Sequence, residues 1–79
     1  MIKLLNPELL HESSSGLAIC IRVQLNRERG KTVWFPYSRI SIETDIDGNR
    51  KPHSDVYVDP WILQQKEEEI GNHILVEEN

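Results

Sequence analysis

The side chains that could act as a nucleophile are few and scattered along the chain. Cys20 is the only cysteine, and it sits in the middle of an alternating apolar segment. The serines at 13–15 lack the strand–turn–helix context of a nucleophile elbow. His53-Ser54-Asp55 has acid–base residue types, but inside a polar loop. Because a nucleophile needs a positioned base within hydrogen-bond reach, we expect no catalytic residues and no enzyme.

The potential metal ligands are also poorly spaced. No two cysteine or histidine residues stand at the short spacing that structural zinc requires. Glu43, Asp45 and Asp47 follow the spacing of a calcium loop, but Ser54 stands where that loop needs a bidentate glutamate. A hairpin turn explains the same residues, so we expect neither a metal nor a cofactor.

The size of the chain favours surface binding. Its 79 residues, 38% hydrophobic and 28% charged, predict one globular domain spanning 1–79. A domain of this size has little room for a deep substrate cavity beside its own core. The lone cysteine cannot form an internal disulfide, and no segment is typical of a signal peptide or a membrane span. We therefore expect a cytoplasmic protein that does not contact the membrane.

The net charge of −4 hides two regions of opposite sign. Cations dominate from Arg22 to Arg39, where Glu28 is the only acid, and acids dominate from Asp59 onward, where Lys66 is the only cation. The expected acidic face comprises Glu67, Glu68, Glu69, Glu77 and Glu78. Such a face is suited to a basic surface on a partner protein, although a solvated helix face is the simpler interpretation.

Most of the predicted secondary structure is β-strand. Apolar and polar residues alternate from Leu17 to Asn26, which predicts a strand with one aliphatic face. A short hairpin closed at Gly30 leads into a second strand from Lys31 to Phe35, and Pro36 should interrupt that strand or lie at a sheet edge. Alternation from Ile40 to Ile46 predicts a continuing or third strand, and Val56 and Val58 predict another.

The end of the chain is typical of one short helix. Asp59 and Pro60 form an N-cap and first-turn pair, and Gly71 is a suitable C-terminal stop. Trp61, Ile62, Leu63 and Ile70 make up the expected apolar stripe. Residues 73–76 suggest a last short strand, residues 1–5 an edge strand, and residues 7–10 a single helical turn. The predicted fold class is α+β, a small twisted antiparallel sheet or partial barrel with one short C-terminal helix packed on it.

One run of residues resembles a recurring pattern. Val33-Trp34-Phe35-Pro36-Tyr37-Ser38-Arg39-Ile40, followed by Val56-Tyr57-Val58 and the Trp61-led helix, resembles small uncharacterised phage and prophage proteins with a Val-Trp-Leu-Pro-Lys-Ser-Gln-Ile strand. The resemblance covers about half the chain and implies a mobile-element context, in which small inhibitors of host defence such as anti-CRISPR proteins are found. It also favours an architectural role for Trp34 and Trp61, pinning the helix start against the sheet.

The hypothesis from these patterns is a non-enzymatic, phage-type inhibitor of a host defence complex that acts by covering a macromolecular surface with its acidic face. It would work in the cytoplasm of the host cell. The alternative is an accessory factor for phage recombination or replication that binds single-stranded nucleic acid. Its expected contact residues are Arg27, Arg29, Lys31, Trp34, Tyr37 and Arg39. A homodimer through exposed sheet edges is the alternative to a monomer.

Overall fold

Six strands and one α-helix make up the part of the fold that the structure describes. The computed structural model describes residues 1–77. In chain order the elements are β1 (Ile2–Lys3), β2 (Glu8–Glu12), β3 (Ala18–Leu25), β4 (Glu28–Pro36), a 3-10 turn (Tyr37–Arg39), β5 (Ile40–Ile42), β6 (Val56–Val58) and α1 (Pro60–Ile70). They form two antiparallel sheets, ordered β1-β6-β5 and β2-β3-β4. This confirms the predicted α+β class. The sheets do not close into a barrel.

The end of the chain runs between the two sheets. The amide of Leu75 donates to the carbonyl of Gln24 on β3 at 2.8 Å, and the amide of Leu5 donates to the carbonyl of Leu75 at 3.1 Å. The strand expected over residues 73–76 is reduced to single bridges at Ile74 and Val76. This segment therefore joins the sheets through backbone hydrogen bonds on both of its sides.

The core lies between the inner faces of the two sheets and α1. It is formed by thirteen buried apolar side chains: Leu4, Ile19, Ile21, Val23, Leu25, Val33, Phe35, Ile40, Val56, Val58, Ile62, Leu63 and Ile74. The inward residues of β3 and β4 alternate with outward ones, as a pleated strand requires. Burial of this apolar surface is the main favourable term in folding.

The β3–β4 hairpin closes differently from the sequence prediction. Leu25 pairs with Glu28, and Arg27 adopts the positive φ of 63° in the turn. Gly30 has no positive φ. A Cβ atom there would lie 2.6 Å from the backbone carbonyl oxygen of Val23, so glycine is needed for the close approach of two strands. The prediction of a short hairpin was right, but Gly30 is not the residue that turns it.

The helical turn expected over residues 7–10 is wrong, because β2 occupies most of this segment. Glu8 pairs with Arg22 and Leu9 with Ile21, with a bulge before His11. The amide of Leu9 also donates to the carbonyl of Pro52 at 2.7 Å. Strand pairing with β3 therefore overrides the local preference, which is weak over so few residues.

The strand expected from Ile40 to Ile46 ends at Ile42, and Ile46 is fully exposed. The chain turns because the carboxylate of Asp45 accepts from the amides of Asp47 and Asn49 at 3.0 and 2.8 Å. A side chain that accepts hydrogen bonds from the backbone amides of its own loop competes with strand pairing. Among residues 1–77, no three histidine, cysteine, aspartate or glutamate side chains group closely enough to hold a metal ion.

Candidate protein-binding face

Helix α1 begins and ends where its caps predict. The Asp59 side chain accepts from the amide of Trp61 at 2.8 Å, and Pro60 occupies the first turn, where an amide is not needed. Gly71 ends the helix in the left-handed conformation, φ 70°. The inward residues Ile62 and Leu63 are buried, with Ile70 partly buried further along.

The position of Trp61 contradicts the expected apolar stripe. Its side chain is 59% exposed, and Trp34 is 42% exposed, so neither tryptophan pins the helix start against the sheet. At about 100° per residue, Trp61 lies roughly 180° around the helix from Ile70. A helical wheel drawn from the sequence therefore places Trp61 on the outer side of α1, opposite the core.

Arg39 contacts both the exposed ring of Trp61 and the N-cap residue Asp59. Its guanidinium carbon lies 5.6 Å from the centroid of the Trp61 ring, and its Nη1 lies 3.5 Å from Oδ2 of Asp59. The amide of Asp59 also donates to the carbonyl of Arg39 at 2.9 Å. One arginine thus contacts both the N-cap and the exposed indole, an arrangement suited to a cation–π contact.

Four side chains form the outer face of α1, which we call the α1 stripe: Trp61, Gln64, Gln65 and Glu68. They follow the spacing i, i+3, i+4 and i+7, so they lie on one side of the helix. Together they line a shallow depression of about 270 Å³. The stripe offers one large aromatic ring, two amide side chains that can donate and accept, and one carboxylate.

The expected acidic face is divided between different contacts. Glu67 is partly buried and accepts from the amide of Ile74 at 2.8 Å, with Nδ1 of His73 at 3.2 Å. Glu69 pairs with Lys66 at 3.4 Å, and Glu77 pairs with Lys3 at 3.2 Å. The hydrogen bond to Glu77 raises the pKa of Lys3.

Of the remaining two glutamates, Glu68 is exposed, and no salt bridge forms to it among residues 1–77. Glu78 lies outside the described residues. Consecutive helix residues point about 100° apart, so glutamates 67, 68 and 69 cannot all share one face. Only Glu68 belongs to the α1 stripe.

The predicted nucleic-acid contacts also separate. Arg27, Arg29 and Lys31 are exposed near the hairpin turn, without a salt bridge to any described carboxylate. Trp34 lies on the outer face of its sheet, where its ring meets His11 edge-on with centroids 5.3 Å apart. Arg39 lies in the 3-10 turn and contacts Asp59 and Trp61 at the start of α1.

Tyr37 belongs to a hydrogen-bonded cluster that was not predicted from the sequence. Its hydroxyl donates to Oε1 of Glu12 at 2.6 Å and accepts from Nη1 of Arg50 at 2.6 Å. Burial raises the pKa of Tyr37, and the hydrogen bond to Glu12 adds to that effect. These residues are far apart in sequence, and no local motif predicts their contact. Cys20 is buried in β3 and pairs with His11 and Trp34 of the flanking strands.

No helix in the described part of the chain is long and apolar enough to cross a bilayer. In comparisons with known proteins, no family model, no curated protein and no solved structure matches this chain.

Proposed function

We propose that this chain is a non-enzymatic binding protein that covers a surface of a partner protein with its α1 stripe. The observation that carries the proposal is the exposure of Trp61 at the head of a regular i, i+3, i+4, i+7 face. Tryptophan is strongly enriched among the residues that dominate binding energy at protein interfaces. The cap at Asp59 fixes the backbone of Trp61, and the guanidinium of Arg39 lies over its ring, so part of the conformational entropy is already lost before binding.

The partner surface should be basic around an apolar pocket. Glu68 lies on the stripe, is exposed and forms no salt bridge among residues 1–77. A carboxylate beside an aromatic anchor favours a partner with arginine or lysine near the pocket that receives the ring. Of the described glutamates in the acidic-face hypothesis, this retains only Glu68.

The specific form of the proposal is a phage-encoded inhibitor of a host defence complex, acting in the host cytoplasm. It is supported by the resemblance of the Val33 to Ile40 run to phage and prophage proteins. The small size of the chain also suits a protein that acts by occlusion. A defence complex that holds nucleic acid in a basic groove would provide a surface of the required charge.

The decisive experiment compares Trp61→Ala with Trp34→Ala. Both variants remove one exposed indole, but only the first removes it from the α1 stripe. Purified variants would be used to capture partners from the host and to measure affinity by calorimetry. We expect Trp61→Ala to weaken binding by at least about tenfold, or about 1.4 kcal/mol, with Trp34→Ala close to wild type. Unchanged binding by Trp61→Ala would reject the α1 stripe as the binding face.

A separate experiment tests whether the protein inhibits host defence. Phage plating would be compared on defended hosts that express wild type, Trp61→Ala or Trp34→Ala. Wild type and Trp34→Ala should raise plating and Trp61→Ala should not. Failure of wild type to raise plating on any defended host would reject the inhibitor, while leaving partner binding to be judged by calorimetry.

A second candidate function is binding of single-stranded nucleic acid at the β3–β4 hairpin. It is supported by Arg27, Arg29 and Lys31, which stand exposed within five positions of the sequence. Fluorescence anisotropy of a labelled single strand should then show binding that weakens as salt rises, and the double variant Arg29→Glu, Lys31→Glu should abolish it. Absence of binding by wild type at low salt would reject this function.

A further inference from the structure

A second depression lies between strand β2 and the loop that leads to β6. It measures about 290 Å³ and is lined by residues 9–12 of β2, Ile19 of β3 and residues 50–52 of the loop. We call it the β2 cleft. It shares no residue with the α1 stripe, so the function proposed above does not account for it.

Most of the exposed lining of the β2 cleft is apolar. Ile19 is 3% exposed and belongs to the core, and Leu9 packs against the core from β2. Leu10 is 37% exposed at the bulge of β2, and Pro52 contributes an apolar ring from the loop. An apolar ligand that covered these side chains would remove their surface from water, which is favourable.

Backbone hydrogen bonds hold the two sides of the β2 cleft together. The amide of Leu9 donates to the carbonyl of Pro52 at 2.7 Å, which joins the strand to the loop. The amide of Lys51 donates to Oγ of Ser54 at 2.8 Å, and the amide of Ser54 donates to the carbonyl of Lys51 at 3.0 Å. The β2 cleft is therefore formed before any ligand binds, as is usual for small-molecule sites.

Two cations and one carboxylate line the β2 cleft. The carboxylate of Glu12 accepts from the Tyr37 hydroxyl at 2.6 Å and from Nη1 of Arg50 at 3.2 Å, so it is already partnered. Arg50 makes both of its hydrogen bonds, to Glu12 and Tyr37, through Nη1, which leaves Nε and Nη2 as further donors. Lys51 forms no salt bridge to a carboxylate within residues 1–77. The lining thus has an excess of positive charge.

We propose that the β2 cleft binds a small carboxylic acid with an apolar chain. The chain would lie on the four apolar residues, and the carboxylate would accept from Lys51 and Arg50, as charge-assisted hydrogen bonds require. Charge complementarity selects this head group, because an amine would meet two cations and an alcohol would leave them unpaired. The volume is at the small end of the range for ligand pockets, so octanoate is a suitable probe.

Titration of the isotope-labelled full chain, followed by nuclear magnetic resonance, tests the proposal. Octanoate, kept below its micelle concentration, should give saturable shifts in the amide signals of residues 9–12, Ile19 and residues 50–51. Octylamine and octanol have the same chain with a different head group, and both should bind at least about tenfold more weakly. No saturable shift at these residues, saturation only elsewhere, or equal binding of octylamine would overturn the proposal.

Variants separate the two halves of the site. Lys51→Gln should weaken octanoate binding about three- to tenfold and leave octanol binding unchanged. Its matched control is Lys31→Gln, which removes an exposed cation outside the cleft. Leu10→Ser should weaken both ligands, whereas Leu17→Ser should weaken neither, because Leu17 is 73% exposed and does not line the cleft. Equal losses for Lys51→Gln and Lys31→Gln would mean non-specific attraction to positive charge and would reject the site.

Discussion

The carboxylate of Glu67 accepts a hydrogen bond from the backbone amide of Ile74 over 2.8 Å. This contact ties the last turns of α1 to the segment that joins the two sheets, where Leu75 bonds to Gln24 and Leu5. Ile74 is itself 4% exposed, so its amide would be poorly hydrated without this acceptor. Glu67 is therefore a structural residue, although its sequence neighbours suggested a binding role.

Removing this carboxylate should destabilise the fold. In Glu67→Ala the buried amide of Ile74 loses its acceptor, which should lower the free energy of unfolding by about 1–3 kcal/mol. Glu68→Ala is the matched control, since Glu68 is exposed, and its change should stay within about 0.5 kcal/mol. Urea denaturation followed by circular dichroism would measure both. Equal midpoints for the two variants would contradict the structural role of Glu67.

The N-cap of α1 provides a second prediction. Asp59→Ala removes the acceptor of the Trp61 amide, and it should cost about 1 kcal/mol of stability. Asp59→Asn retains a capping oxygen and should cost less. The variants would be compared by thermal unfolding. If the alanine variant were as stable as wild type, the cap would contribute nothing, and the ordered position of Trp61 would need another explanation.

Phe35 and Trp34 are adjacent in β4 but face opposite sides of the sheet. Phe35 is fully buried, so Phe35→Ala should cost about 3–5 kcal/mol and leave a fold of this size barely stable or unfolded. Trp34→Ala should have a much smaller effect, because the ring is partly exposed and lies edge-on to His11 on the outer face of the sheet. Urea midpoints would establish the order. A larger loss for Trp34→Ala would mean that the two faces are reversed.

The two tyrosines predict how stability depends on alkaline pH. Burial raises the pKa of Tyr37 above its ordinary value of 10.0, with a further rise from Glu12, and burial together with Glu43 raises that of Tyr57. The folded chain therefore holds these protons more tightly than the unfolded chain does. Their contribution to stability is complete below pH 10.0 and is lost as pH rises above it.

The ultraviolet absorbance of tyrosinate would measure the pKa values of the two tyrosines directly. Both tyrosines of the folded protein should titrate at higher pH than the same residues in urea. Tyr37→Phe should remove one of the two transitions and make the alkaline loss of stability smaller. A folded-state midpoint at or below that of the unfolded chain would contradict the partial desolvation of the two tyrosine side chains.

Much of the fold was predictable because local signals were strong. The alternation around Cys20 predicts β3 to within a residue at each end, and the cap residues Asp59 and Gly71 predict both ends of α1. Pro36 ends an edge strand, as its missing amide requires. These features depend on the chemistry of neighbouring residues alone, so one sequence is enough to infer them.

The local signals failed where long-range contacts decide the outcome. Residues 7–10 have little intrinsic preference, and pairing with β3 makes them a strand. The acidic residues after Asp59 look like one surface in sequence, but Glu67 bonds to Ile74 and Glu77 to Lys3. Neither partner is visible from local pattern.

The number and type of most elements follow from the sequence alone, because hydrophobic period and capping act over a few residues. Which side chains remain exposed depends on the tertiary contacts. The helical wheel sets Trp61 opposite Ile70, and strand alternation sets Trp34 opposite Phe35, but neither pattern says which of the two faces is covered. The choice depends on which face of each element meets the rest of the chain, and that is settled by contacts between residues distant in sequence.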